Sequence, residues 1–182
     1  MKLPKPIFRS RNLLFSLLAL IVLVPGIPAS YADRVVELQT VANVNEQSLI
    51  NAITDLQNYP QIFPSNVKSV TVLDNKTNLV DMNAGINGFF FDTQAVYQQT
   101  PDGKYVVQVV SGALNGTTMT TQLNKTWGFD GQPNMGTIAN ISLDLKTSGF
   151  LSWMLSFMPD SSLNYALQNG FSRFVDFAQQ MG

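Results

Sequence analysis

Apolar and polar residues alternate with a period of two through the middle of the chain, and a helical period takes over near the C-terminus. Val35 to Ala42 alternates and predicts a strand. Asn45 has the chemistry of an N-cap for a helix from Glu46 to about Leu56, with Leu49, Ile50 and Ile53 on one face. Residues 55–70 then read D-L-Q-N-Y-P-Q-I-F-P-S-N-V-K-S-V. Each proline disfavours helix at the residue before it, so Tyr59 and Phe63 are expected to be extended. The prediction is a helix broken twice, with two aromatic side chains on the bends at the mouth of a pocket.

Val67 to Leu73 is β-branched and predicts a second strand. An antiparallel meander follows. Leu79 to Ile86 puts Val80, Met82, Ala84 and Ile86 on one face, and Asn87-Gly88 makes a hairpin turn. Phe89 to Gln99 puts Phe91, Thr93, Ala95 and Tyr97 opposite Asp92, Gln94 and Gln98. After the Pro101-Asp102-Gly103 turn, Tyr105, Val107 and Val109 share a face. Met119 to Phe129 predicts one long strand with Met119, Thr121, Leu123, Trp127 and Phe129 in phase, ended by Asp130-Gly131. Thr137 to Leu145 alternates Ala139, Ile141, Leu143 and Leu145 against Asn140, Ser142 and Asp144.

Phe150, Trp153, Met154, Phe157 and Met158 recur at helical spacing. Pro159 interrupts, and Asp160 or Ser161 caps a restart. Leu163, Ala166, Leu167, Gly170, Phe171, Phe174, Val175 and Ala178 then form a wide apolar stripe. The order is strand, broken helix, about six strands and long helix, which predicts an α+β domain with one sheet face covered by the last helix.

The first 32 residues change the electrostatic picture. Lys2, Lys5, Arg9 and Arg11 precede an apolar run from Leu13 to Val24, and Ser30-Tyr31-Ala32 presents small residues at a cleavage site. The run is shorter than the ~18–20 residues of a spanning helix. Residues 1–32 read as a cleaved signal peptide, with an N-terminal membrane anchor as the alternative. Residues 33–182 would be the mature, secreted or extracytoplasmic domain. The full chain has 11 basic and 12 acidic residues, a net charge of −1; without the leader, 7 face 12, a net of −5. That balance argues against nucleic acid and anionic surfaces. There is no His and no Cys. Imidazole or thiolate metal sites, Ser-His-Asp and Cys-His catalysis, and disulfides are therefore excluded. Four Asn-x-Ser/Thr sequons, at Asn75, Asn115, Asn124 and Asn140, are close to chance for this composition.

Several motifs resemble the START-like polyketide cyclase superfamily, and its coenzyme-Q-binding branch in particular. They are Tyr59-Pro60 and Phe63-Pro64 followed by Val67 and Val70, then Ser111-Gly112-Ala113-Leu114-Asn115-Gly116 between strands. Trp127-Gly128-Phe129, Gly136-Thr137 and the amphipathic C-terminal helix complete the set. The resemblance implies a helix-grip fold: a curved antiparallel sheet wrapped around the long helix, with a hydrophobic cavity between them. Relatives hold lipids, quinones, sterols or polyketides there, and some cyclise or dehydrate polyketides. The leader is a departure, since most quinone-binding relatives lack one.

The expected partner is a hydrophobic small molecule, lipid or quinone-like, with transient membrane contact at the Phe89-Phe90-Phe91 hairpin as a further option. No cofactor, metal or nucleic acid is required. Tyr59, Phe63, Met82, Phe89, Phe91, Tyr97, Lys125, Trp127, Trp153, Phe157, Phe171 and Phe174 are the candidate ligand-binding residues. Each also has an ordinary packing explanation. Lys125 falls in phase with Leu123 and Trp127, where it would meet a ligand head group unless a sheet-end position lets it reach out to water. Asp55, Asp92, Asp144 and Glu37 are the acids to consider for catalysis, but no spacing forces any two together. The Pro159 region and the Asn87-Gly88 hairpin are the expected moving parts. The alternatives are a cyclase or dehydratase using the same cavity, and a secreted interaction module with a filled core.

Overall fold

In the computed structural model residues 33–181 are described, apart from 87, 130, 132 and 134. The leader and Ala32 lie outside them, as do Asn87 and Asp130 of two expected turns. β1 (Arg34–Ala42) leads to α1 (Glu46–Thr54), where the Ser48 N–H donates to the Asn45 side chain at 2.8 Å, the expected cap. A 3-10 turn (Leu56–Asn58) and the short α2 (Tyr59–Ile62) complete the broken helix. The meander is β2 (Val67–Asp74), β3 (Leu79–Ile86), β4 (Phe89–Gln99), β5 (Tyr105–Val109), β6 (Thr118–Thr126) and β7 (Gly136–Leu145). α3 (Gly149–Ser156) and α4 (Asp160–Met181) close the chain.

Two local expectations are corrected. Tyr59 is helical, at φ −57° and ψ −35°, not extended. Pro60 sits in the first turn of α2, where its missing N–H leaves no bond unmade. Burial of the Tyr59 ring, and donation of its hydroxyl to the Ile53 carbonyl at 2.8 Å, outweigh the steric bias before proline. Phe63 does leave helical backbone, at φ −124° and ψ 58°. The second correction is that β6 ends at Thr126, so Trp127 and Phe129 lie beyond the strand. Gly136 opens β7 directly against the Trp127 carbonyl, with no room for a Cβ. The Phe129 N–H donates instead to the Asn43 side chain at 2.9 Å.

All seven strands join one antiparallel sheet in the order β1-β7-β6-β5-β4-β3-β2. The register aligns the inward faces: Leu38 opposite Ile141, Thr121 opposite Ile141, Met82 opposite Thr93 and Val80 opposite Ala95. A one-residue slip would turn each of these faces outward. α4 packs on α1 and β1, and the apolar stripe of α4 meets the inward sheet face. One apolar cluster gathers Leu49, Ile53, Tyr59, Met82, Ile141, Phe171 and Phe174; a second joins Val36, Leu145, Leu151, Leu155 and Leu163. Burying a side chain such as Leu49 or Ile53 contributes about 1.5–3 kcal/mol. The Ser111-Gly112 corner ties β4 to the chain after β5. Ser111 Oγ accepts from the Gln94 N–H at 2.8 Å, and Thr93 Oγ1 donates to the Ser111 carbonyl at 2.7 Å. Gly112 has φ +74°, and a Cβ there would lie 2.9 Å from the Asp92 carbonyl oxygen, so the position needs glycine.

Candidate functional site

Between the sheet and α4 lies an apolar cavity of about 500 Å³. The alternation read from the sequence builds its floor: Met82, Ala84 and Ile86 of β3, Thr93 and Ala95 of β4, and Val107 and Val109 of β5. Met119 and Thr121 of β6 and Ile141, Leu143 and Leu145 of β7 continue it. α4 forms the roof with Leu163, Ala166, Leu167, Gly170, Phe171 and Phe174. At one end Tyr59 and Phe63 meet Phe174 in three edge-on ring contacts, with centroids 5.7, 5.5 and 5.0 Å apart. They staple the broken helix to α4 and line the cavity at once. At the other end Leu155 of α3 and Met158 complete the wall.

No Asp, Glu, Lys or Arg is among the described lining residues. Most polar groups in the wall donate to backbone carbonyls: Tyr59 to Ile53, Asn66 to Gly85, Thr93 to Ser111 and Thr117 to Lys146. Thr121 differs, since its buried hydroxyl has no hydrogen-bond partner among the described residues. Burial, and secondarily the charge of Asp55, push the Tyr59 phenol well above the ordinary tyrosine range, so it is neutral and a poor general base. Asp55 itself caps the 3-10 turn, accepting from the Gln57 N–H at 3.2 Å and the Asn58 amide at 2.9 Å. Asp92 accepts from Asn83 at 2.7 Å, and Asp144 pairs with Lys146 at 3.2 Å. Among the described residues no group of three or more His, Cys, Asp or Glu could hold a metal ion.

Of the sequence-selected residues, the fold brings Tyr59, Phe63, Met82, Phe171 and Phe174 together around the cavity. The other seven are placed elsewhere. Phe91 has the inward phase but packs, half-buried, against the second apolar cluster. Phe89 lies near the hairpin end and meets Phe150 edge-on at 5.6 Å. Tyr97 stacks on Tyr105 across the strand pair, with centroids 6.4 Å apart. Lys125 shares the phase of Leu123 but sits at the sheet end, exposed, with Nζ 3.9 Å from Glu46 at the start of α1. Trp127 is exposed because the strand has already ended. Trp153 and Phe157 point away from the core. The helical spacing of Phe150, Trp153 and Phe157 marks the exposed face of α3, and the face with Leu151, Ser152 and Leu155 is buried instead.

Arg34 is a functional neighbour that sequence reasoning missed. From β1 its guanidinium donates to the carbonyls of Leu155 at 3.2 Å and Met158 at 2.6 Å, and pairs with Asp160 at 3.1 Å. It thereby satisfies carbonyls at the end of α3 and holds the α3–α4 joint that walls the cavity. A contact across more than 120 positions leaves no local trace in the sequence.

No family model and no curated protein matches the chain. Solved structures do resemble it. A START superfamily protein from Mycobacterium smegmatis superposes with TM-score 0.62 at 11% identity, over 81% of this chain and 99% of that one. The fold is START-like. A protein from Thermus thermophilus gives TM-score 0.64 at 9% identity, over 82% of this chain and 99% of its own. A truncated norcoclaurine synthase from Thalictrum flavum gives 0.55 at 11% identity, over 81% and 96%. These neighbours agree with the helix-grip architecture that the resemblance implied.

Proposed function

We propose that this protein is an exported carrier for an uncharged hydrophobic small molecule: a lipid, quinone or isoprenoid held between the sheet and α4. The observation that supports it is the cavity of about 500 Å³ with no charged side chain among its described lining residues. Such a volume falls within the range of small-molecule pockets. Protein interiors are otherwise close-packed, so an apolar space of this size forfeits contacts until something fills it. Affinity would come from apolar burial, about 25 cal/mol per Å² before ordering costs. A carboxylate or ammonium would enter without a counter-charge, so the cargo is neutral. The leader supports export, and a quinone fits the resemblance to the coenzyme-Q-binding branch. A cyclase or dehydratase would need an inward acid–base pair, and the described lining residues supply none.

Mass spectrometry of organic extracts from protein purified from its native host tests the carrier reading. The expected result is a neutral lipid near one per chain, absent from a folded Ala84→Phe/Val107→Phe variant whose cavity is filled. An empty extract, together with no uptake of a fluorescent apolar probe, would sink it. N-terminal sequencing tests export. A chain beginning at Asp33 in the extracytoplasmic fraction is expected, and an uncleaved chain confined to the cytosol is the contrary result.

A further inference from the structure

Four aromatic side chains form a continuous exposed strip at the α3 end of the cavity. Phe89 meets Phe150 at 5.6 Å, Phe150 meets Trp153 at 5.7 Å, and Trp153 meets Phe157 at 5.3 Å. Their exposures are 55, 59, 59 and 73%. Two segments far apart in sequence supply them, the β3–β4 hairpin and α3. Neither holds a charge: positions 82–91 and 147–159 lack Asp, Glu, Lys and Arg altogether. A helix whose outer face met water would carry such residues. The neighbouring α4 does, with Asp160, Arg173 and Asp176 exposed.

We propose that this strip is a docking surface for the interfacial region of an electrically neutral, zwitterionic lipid bilayer. Trp and Phe on a rim of Ser and Gly match the amphipathic environment at the headgroup boundary. Charge selects the lipid: residues 33–182 carry a net charge of −5, and the cation beside the hairpin, Lys68, lies over the Phe90 ring, 3.6 Å from its centroid, and not over the four-ring strip. Area argues against a second copy of the chain. Four such side chains at these exposures offer roughly 500 Å², from 150–250 Å² per aromatic residue, against about 800 Å² per partner in a stable dimer. The inner side of α3 gives the contact its use. Leu155 and Met158 wall the cavity directly behind Trp153 and Phe157, so the segment that would enter the bilayer also closes the cavity. Docking would bring that wall against the phase from which an apolar molecule is taken. Among the described residues no helix is long and apolar enough to cross a membrane, so this is surface contact by one short helix and a hairpin.

The test uses the full chain carrying Trp127→Phe, which leaves Trp153 as the single tryptophan. Phosphatidylcholine vesicles, plain or brominated along the acyl chain, are added. A blue shift of Trp153 emission and quenching by the brominated lipid are expected, both independent of salt. Phe150→Asp/Phe157→Asp should weaken the quenching by at least about tenfold, while Leu73→Asp at an exposed position on β2 should leave it unchanged. If the double variant does not fold by circular dichroism, Phe157→Ser at the exposed end of α3 should give a partial loss. The readout is local to α3, so an apolar leader or an empty cavity cannot imitate it, and cargo extraction tests the carrier reading separately. An unshifted, unquenched Trp153 overturns the proposal. So does quenching confined to anionic vesicles and abolished by salt. So does a Trp153 shielded without lipid in a dimer detected by sedimentation.

Discussion

The Thr121 hydroxyl sits in the cavity wall, its residue 1% exposed, with no hydrogen-bond partner among the described residues. Thr121→Val keeps the β-branched shape and removes the unpaired group. The empty protein should gain about 1 kcal/mol, or about 2–4 °C in Tm. A thermal melt showing a loss instead would mean that the hydroxyl has a partner in solution. Tyr59 yields a pH-dependent prediction. Its phenol proton leaves the unfolded chain near pH 10 and the folded chain at higher pH, because burial opposes the charge. The folded pKa is raised, so this stabilisation is complete below about pH 10 and declines as pH rises through the folded value. Denaturant unfolding across alkaline pH should show a steeper fall in stability for the wild type than for Tyr59→Phe. Equal slopes would contradict the assignment.

At the scale of elements, α4 carries a glycine in its interior. Gly170 faces the cavity, and a Cβ there would approach only the Phe63 ring, at an ordinary 4.0 Å. A helix-interior glycine costs about 1 kcal/mol relative to alanine. Gly170→Ala should therefore raise Tm by about 2–4 °C while trimming the cavity. A melt showing no gain would mean that Phe63 has no space to give. α3 poses the opposite problem. Apolar residues cover all of it but the side of Gly149, Ser152 and Ser156, and the periodicity of Phe150, Trp153 and Phe157 marked a face that the structure leaves exposed. Packing chose the Leu151 and Leu155 face, and Arg34 then fixed the end of the helix through its carbonyls.

At the scale of the whole domain, filling the cavity should stabilise the fold. A ligand that binds only the folded state at a hundred times its Kd adds about 2.7 kcal/mol, hence a Tm rise of about 5–10 °C. Delipidated protein melted with a neutral isoprenoid quinone should show that rise. An ionised fatty acid of similar length should not, because the described residues of the cavity wall include no cation to meet it. Equal rises from both would refute an uncharged cargo.

The sheet phases, the Asn45 cap and the stripe of α4 were all determined by the sequence itself. Each depends on local periodicity or on a side chain reaching a nearby backbone group. Val80, Met82, Ala84 and Ile86 had to share a face whatever the fold, because a strand sends alternate residues the same way. Tertiary structure decided what periodicity cannot carry. It turned Trp153 and Phe157 outward from a largely apolar helix, let Lys125 escape at a sheet end, and placed Arg34 on carbonyls more than 120 positions away. The cavity itself belongs to that second class. An inward apolar face reads the same whether its partner helix lies against it or stands off, and only the separation of α4 from the sheet makes it a space to fill.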